Sequence, residues 1–434
     1  MMLSSAVNGT AARRPKPVNA LPIERSATGT ALGAFGAAAV MGGIALVLNL
    51  IAEHSPLLGP VFAGWSGAVA ESPLAGIRWF LGDMTEPQFY KSELAAIGLL
   101  AGAALAWWAG RRGRKWAGSL TYGTGLWPWV FTSASLSLLL SNVAFGWMLD
   151  AGWQPTFVPF VCVASAVVLV YGGGWTTCLT GAALGAATTT PLALLLIPVV
   201  STPLGLPSVV SNVLAMSIGS VLAFLVARKL PWLEARQAGR QAGRRLELRQ
   251  PPSNVPAVQA ELRHTEPRHA APNHTRPAIL KDAVWAGRRV LSDFTETQFF
   301  ANELASAGVI LGVAVAFVLN PALPSYGSNL VPHILFAQAL TSAVGVVLWR
   351  SWYRNDGWAA TYASLVSVAP AAVLAFNGSW FSMIGGAVLG AVMAPPIARA
   401  VSARLPRDFH PSIGNTVAMA VSTAVTLPIL RLVH

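Results

Sequence analysis

Long apolar runs separated by short polar joints recur along this chain. The first is Ala31–Ala52, and five more lie at Leu94–Gly110, Leu126–Met148, Thr156–Gly172, Thr176–Val200 and Ser208–Ala227. After a polar interval another five appear at Leu304–Leu319, Leu330–Trp349, Trp358–Phe376, Phe381–Ala398 and Ser412–Leu430. A hydrocarbon core of roughly 30 Å is crossed by a helix of about 20 mostly apolar residues. The pattern therefore predicts an all-α polytopic membrane protein of about 11 transmembrane helices. The run at 31–52 is too long for the core of a cleaved signal peptide. It reads as a retained span behind a cytoplasmic tail, residues 1–30, that carries Arg13, Arg14, Lys16 and Arg25.

The two sets of five are copies of one unit. Asp83-Met-Thr85-Glu86-Pro-Gln88-Phe89-Tyr90-Lys-Ser-Glu93-Leu94-Ala95 returns 210 residues later as Asp293-Phe-Thr295-Glu296-Thr-Gln298-Phe299-Phe300-Ala-Asn-Glu303-Leu304-Ala305. Gly152-Trp153 and Thr156-Phe157 pair with Gly357-Trp358 and Thr361-Tyr362 at a shift of 205, as do Trp175 with Trp380 and Gly181–Ala186 with Gly386–Ala391. Asn212 to Met216 pair with Asn415 to Met419 at 203. Polar identities in collinear order are not produced by hydrophobic bias, so the chain divides into a first unit at 79–229 and a second at 288–434. Between them, residues 230–287 are polar, basic and proline-containing, as in Arg236-Gln-Ala-Gly-Arg240-Gln-Ala-Gly-Arg244-Arg245, and read as a flexible cytoplasmic linker.

An odd number of spans followed by a linker that stays on one side forces the second unit to enter from the face where the first ended. The units are then two inverted five-helix repeats plus an N-terminal helix. Basic residues test this independently, because cytoplasmic joints carry the Arg and Lys. Arg111, Arg112, Arg114 and Lys115, Arg228 and Lys229, Arg350 and Arg354, and Arg399, Arg404 and Arg407 all fall on the side assigned to the cytoplasm, whereas 201–207 and 320–329 carry none. That ordering puts the N-terminus inside and the C-terminus outside. The Arg-rich usage fits a GC-rich bacterial genome and hence an inner, plasma membrane.

Composition narrows the functional classes. Apolar residues make up 54% and charged residues 11%, far from a soluble domain. The net charge of +12 is explained by membrane topology rather than by nucleic acid. Its linker share suits anionic lipid headgroups. Cys162 and Cys178 are the two cysteines and lie inside apolar runs, so no disulfide framework or thiolate metal cluster is implied. No nucleotide loop, zinc spacing or nucleophile elbow is present, which implies no cofactor and no metal.

The segments Leu206-Pro207-Ser208 through Asn212 to Ser217, and Pro411-Ser412 through Asn415 to Met419, resemble the repeated proline-to-helix motif of urea transporters. The resemblance implies five-plus-five inverted repeats around a central pore. It covers about a dozen residues per copy and lacks that family's phenylalanine pairs at the proline turn.

Acidic groups at a membrane boundary cost free energy and persist mainly where they work. The motif residues Asp83, Glu86 and Glu93, and Asp293, Glu296 and Glu303, are therefore candidates for proton or cation sites, at opposite mouths of a pathway. Glu86 and Glu93, like Glu296 and Glu303, lie seven residues or two helical turns apart and so share a helix face, with aromatic residues between them. The alternative is that Asp83 with Thr85, and Asp293 with Thr295, cap helix N-termini. Asn212 and Asn415 suit either a small polar solute or an interhelical hydrogen bond. Thr189 and Thr190, before Pro191, and Pro395-Pro396 interrupt their spans and either line a pore or form kinks. The glycine-rich joint 172–174, the tryptophans at span ends, and His333 and His410 have structural explanations. His264, His269 and His274 recur in the linker as a conceivable metal site, against the plainer reading of solvated polar chain.

Inverted repeats are the recurring architecture of transporters, with the solute bound where the copies meet. The sequence thus points to a transporter or channel for a small polar or ionic solute, not an enzyme, embedded in the lipid bilayer and free to form a homo-oligomer. The alternative is an intramembrane enzyme acting on a lipid-linked substrate, its acids holding a divalent cation. A scaffold binding partners through the linker is a third option.

Overall fold

The structure, a computed structural model, describes residues 26–151, 155–233 and 276–433. The tail 1–25, the histidines of the linker and most of its basic residues lie outside them. Among the described residues every regular element is helical. In chain order these are α1 (Ala27–Ala52), α2 (Phe62–Ala68), α3 (Pro73–Asp83), α4 (Glu93–Arg111), α5 (Trp127–Phe145), α6 (Val163–Tyr171), α7 (Trp175–Leu196) and α8 (Ser208–Ala227), then α9 (Arg276–Ser292), α10 (Glu303–Leu319), α11 (Val331–Leu348), α12 (Arg350–Asp356), α13 (Tyr362–Leu365), α14 (Val368–Ala375), α15 (Trp380–Ser402) and α16 (Ser412–Val433). Eight are long and apolar enough to cross a membrane, counting the short helical turns that extend α5 and α7; the shorter apolar helices are Val158–Tyr171, Glu303–Leu319 and Tyr362–Ala375. Two thirds of α8 and of α11 is buried (67%) against 28% of α1 and α7. So α8 and α11 form the centre and α1 and α7 the lipid-facing rim.

The most extensive helix contact joins α4 to α10. A Cβ at Gly98 would sit 2.8 Å from the Gly308 carbonyl carbon, and one at Gly308 would sit 2.8 Å from that of Gly98. Gly102 meets Ala305 and Gly312 meets Ala95, each at 2.8 Å from the Cα. Rising numbers on one helix face falling numbers on the other, so the two run antiparallel. In lipid, where apolar side chains gain nothing by leaving the solvent, small residues that let backbones touch are what hold helices together.

Helix α9 begins at Arg276, inside the stretch that polarity alone assigned to the linker. It packs parallel to α1, Gly29 against Ile279 and Gly33 against Ala283. Its Asp282 is paired inside the protein, accepting from the Ser26 backbone N–H at 2.8 Å and pairing with Arg350 at 2.9 Å. Arg350 also donates to Thr30 at 2.7 Å. At the far end, the Leu58 N–H donates to the Leu319 carbonyl at 3.1 Å. Helices α9 and α10 therefore run in succession alongside α1, as one broken path whose break is the segment Asp293–Asn302. By the register at Gly29 and Gly33, Asp293 lies level with residue 43 (29 + 293 − 279), near the middle of α1.

Several expectations change at this break. Glu86 sits in a 3₁₀ turn, Glu86–Gln88, and the chain then passes through positive φ at Phe89 (65°) and Lys91 (42°) before α4 starts. Phe299 (63°) and Ala301 (46°) do the same before α10. Glu86 and Glu93, like Glu296 and Glu303, therefore do not share a helix. The N-caps are Ser92 and Asn302, whose side chains accept from Ala95 N–H and from Leu304 and Ala305 N–H, rather than Asp83 or Asp293. The proline segments keep helical form, with α7 continuing through Pro191 and α15 through Pro395 and Pro396. Breaks fall instead in the third apolar run of each unit, at Cys162 (φ −141°, ψ −99°) and Ser367 (φ −142°, ψ −83°).

Candidate functional site

The two acidic motifs meet in the interior instead of lying at opposite mouths. The amides of Gln88 and Gln298 donate to each other at 2.8 Å. Gln88 also donates to the Phe294 carbonyl at 2.6 Å and Gln298 to that of Met84 at 3.1 Å. The Thr121 N–H donates to Phe300 at 2.9 Å and the Ser325 N–H to Tyr90 at 2.7 Å. Each bond has a counterpart with the two motifs exchanged. All are buried, and the antiparallel contact of α4 with α10 is what brings them together.

Beside this seam lie two charge clusters. Lys91 bridges Asp83 and Glu86, the latter at 2.9 Å, with its ammonium 3.6 Å above the Trp79 ring. Asp83 further accepts from Asn142 at 2.9 Å and Thr156 at 2.7 Å. In the second cluster Arg289 bridges Asp293 and Glu296. Asp293 accepts from Ser342 at 2.5 Å and Thr361 at 2.7 Å, and Glu296 from the Trp358 indole at 2.5 Å. The cations come from different positions: with the shift of 210, Lys91 corresponds to Ala301 and Arg289 to Trp79. A buried carboxylate must be paired, and either neighbouring position satisfies that.

A cavity opens where the halves meet. It is lined from one side by Glu86, Phe157, Ser208, Asn212 and Met216 and from the other by Thr297, Tyr326, Val366 and Met419. About 40 Å³ of it is open to the centre of a water molecule, room for about three waters. The Tyr326 hydroxyl donates to Glu86 at 2.8 Å. Asn212 is 3% exposed and its Oδ1 has no hydrogen-bond partner among the described residues. Its counterpart Asn415 donates to the Tyr362 hydroxyl at 2.9 Å. At the position equivalent to Tyr362 the first half has Phe157, which offers no hydroxyl. The Oδ1 of Asn415 is likewise without a partner among the described residues, so the two asparagines differ in the hydroxyl that holds the Asn415 amide nitrogen and in Asn212 alone lining the cavity.

The remaining sequence candidates lie elsewhere. Glu93 pairs with Arg78 at 2.5 Å and Glu303 with Arg288 at 2.9 Å, equivalent bonds that leave both acids away from the cavity lining. Thr189 donates to the Gly185 carbonyl at 2.7 Å and Thr190 bonds Ser141 at 2.8 Å; both serve helix packing. Lys91, Arg289 and Tyr326 are the functional groups that pattern reading missed. Lys91 stood inside the quoted motif. Tyr326 stood in a further repeated block, Thr121-Tyr-Gly-Thr against Ser325-Tyr-Gly-Ser, in which both tyrosines take positive φ, 57° and 61°.

His410 caps α16: its Nδ1 accepts from the Ser412 N–H at 3.1 Å, and its ring lies 5.5 Å from that of Phe299. Burial pushes its pKa down to about 4. The unfolded chain, near 6.5, then binds more protons than the folded one between those values. Stability should accordingly fall as pH drops from about 6.5 toward 4. Melting temperatures of wild type and His410→Asn across that range check this, the variant being expected to lose the slope.

Many apolar helices around a buried polar seam define a multi-pass helical membrane protein. Compared with known proteins, the chain matches no family model, no curated protein and no solved structure.

Proposed function

We propose that this chain is a transporter or channel for a small polar solute, built from α1 and two inverted five-helix units whose seam holds the solute. Eleven spans follow if the three shorter apolar helices also cross, their basic joints lying in the cytoplasm of a bacterial cell. The observation that carries the reading is the seam cavity with Asn212 exposed to it. The antiparallel crossing at Gly98 and Gly308 and the reciprocal Gln88 and Gln298 bonds support the inversion. So does the broken path at Asp293–Asn302, since discontinuous helices recur at solute sites in transporters. The segments resembling urea transporters supply Ser208 and Asn212 to the cavity, which favours a compact hydrogen-bonding solute. The enzyme alternative needs carboxylates available to a divalent cation, and Lys91 and Arg289 already bridge them.

The test is solute-driven swelling of proteoliposomes with a panel that includes urea, formamide, glycerol and ammonium. Phe157→Tyr would supply Asn212 with the hydroxyl that Asn415 already has. It should lower the rate for the transported solute by roughly tenfold, the worth of about one hydrogen bond. Asn212→Leu should lower it at least as far. Wild-type vesicles permeable to none of the panel, or both variants at full rate with normal folding, would overturn the reading.

A further inference from the structure

The two halves differ at the start of their last helix. In the second half His410 caps α16, its Nδ1 accepting from the Ser412 N–H at 3.1 Å. The position equivalent to His410 is Pro207 (410 − 203 = 207), whose ring accepts no hydrogen bond, and α8 begins behind it without a side-chain cap. The first N–H groups of a helix have no partner within the helix, and together they carry a partial positive charge. Ser208 and Val209, the first two residues of α8, line the cavity, so the uncapped helix end is a donor surface in the cavity wall. Asn212 stands one turn further along the same face, and a helical side chain leans back over the turn before it. Asn212 is 3% exposed, and its Oδ1 is an acceptor with no partner among the described residues. The wall therefore offers donors at the helix end and an acceptor about one turn, roughly 5.4 Å, beyond them. In the second half the cap is in place and Asn415 does not line the cavity.

This pairing of donor and acceptor selects among solutes. We propose that the solute is a compact amide, its carbonyl oxygen received by the first turn of α8 and its N–H by the Asn212 Oδ1. A cation such as ammonium has no acceptor to offer the helix end and is repelled by the positive pole there. An anion such as formate has acceptors only, and leaves the buried Asn212 oxygen without a donor. A polyol presents both characters, but on hydroxyls that must be ordered about several rotatable bonds, which offsets part of what the contacts gain. An amide holds its carbonyl and N–H in one rigid plane. The space, enough for about three waters, admits a molecule of the size of formamide or acetamide. The apolar part of the lining, with Val213, Met216, Val366 and Met419, suits the methyl or hydrogen end of such a molecule.

The inference rests on the transport reading and names its solute, and one experiment separates the two. Swelling rates of proteoliposomes, corrected for protein-free vesicles, are measured for formamide, acetamide and glycerol, and for ammonium and formate each with a permeant counter-ion. The two amides should enter at least about tenfold faster than the others, the effect of one buried group left unbonded. Pro207→His transplants the cap of α16 onto α8 and should slow formamide by roughly fivefold, about the worth of one hydrogen bond. Asn415→Leu, outside the cavity, should leave the formamide rate unchanged. A normally folded Pro207→His protein that passes formamide at full rate, or an Asn415→Leu protein slowed as much, would place the contact elsewhere and refute the proposal. If Pro207→His does not fold, the wild-type ranking decides alone. Glycerol, ammonium or formate entering as fast as the amides would refute the amide assignment and leave the transport reading standing. Entry of none of the solutes would take both down.

Discussion

Replacing Lys91 by alanine should cost on the order of 3–5 kcal/mol, because it removes the buried ammonium that bridges Asp83 and Glu86. The second half of the molecule suggests the cure. There the cation stands at the position of Trp79 (79 + 210 = 289) and alanine at that of Lys91 (91 + 210 = 301). The double variant Trp79→Arg with Lys91→Ala rebuilds that arrangement and should recover about half of the lost stability. Full recovery is not expected, since the Trp79 ring also packs on Trp65 at 5.3 Å. Thermal unfolding in detergent, followed by loss of the monodisperse peak, reads both. If Lys91→Ala melts like wild type, the cluster contributes no pairing; if the double variant is no better than the single, the two arrangements are not interchangeable.

Substituting Gly98 or Gly308 by alanine should each destabilise the protein by about 2 kcal/mol, near the middle of the range for forced overpacking. The added carbon would meet the backbone of the opposite helix, which has no flexible side chain to move aside. Because the two glycines share one contact, the double substitution should cost less than the sum. Gly36 of α1 is the control, with nothing within 4 Å of a Cβ there; its alanine variant should be neutral or slightly stabilising, since alanine is the better helix former. The same unfolding assay separates these outcomes. Gly98→Ala and Gly308→Ala both behaving like Gly36→Ala would mean that α4 and α10 are not in backbone contact.

Much of the helix layout could be read from hydropathy. The apolar runs at Leu94–Gly110, Leu126–Met148 and Ser208–Ala227 correspond to α4, α5 and α8 within a few residues. Helix α9 escaped because its Arg, Lys and Asp residues mimic a solvated linker, while in the fold Asp282 is neutralised by Arg350. The prolines at 191, 395 and 396 misled in the other direction. Spacing counts suggested a helix carrying both Glu86 and Glu93, but positive φ at Phe89 and Lys91 ends any such helix. Asn212 and Asn415 looked equivalent in the sequence, and it took the Phe157 and Tyr362 difference, seen in place, to separate them.

By itself the sequence determined that this is a many-helix, lipid-embedded chain and that one polar block recurs 210 residues on. Length, apolarity and recurrence are local properties, printed wherever a segment must satisfy its own backbone in lipid. Only the tertiary structure decided that Gln88 meets Gln298, that Arg289 stands in for Lys91, and that one asparagine faces a cavity. Those facts depend on which distant segments touch, and the antiparallel approach of α4 and α10 sets that contact through backbone shape, which leaves little trace in residue order beyond four small glycines.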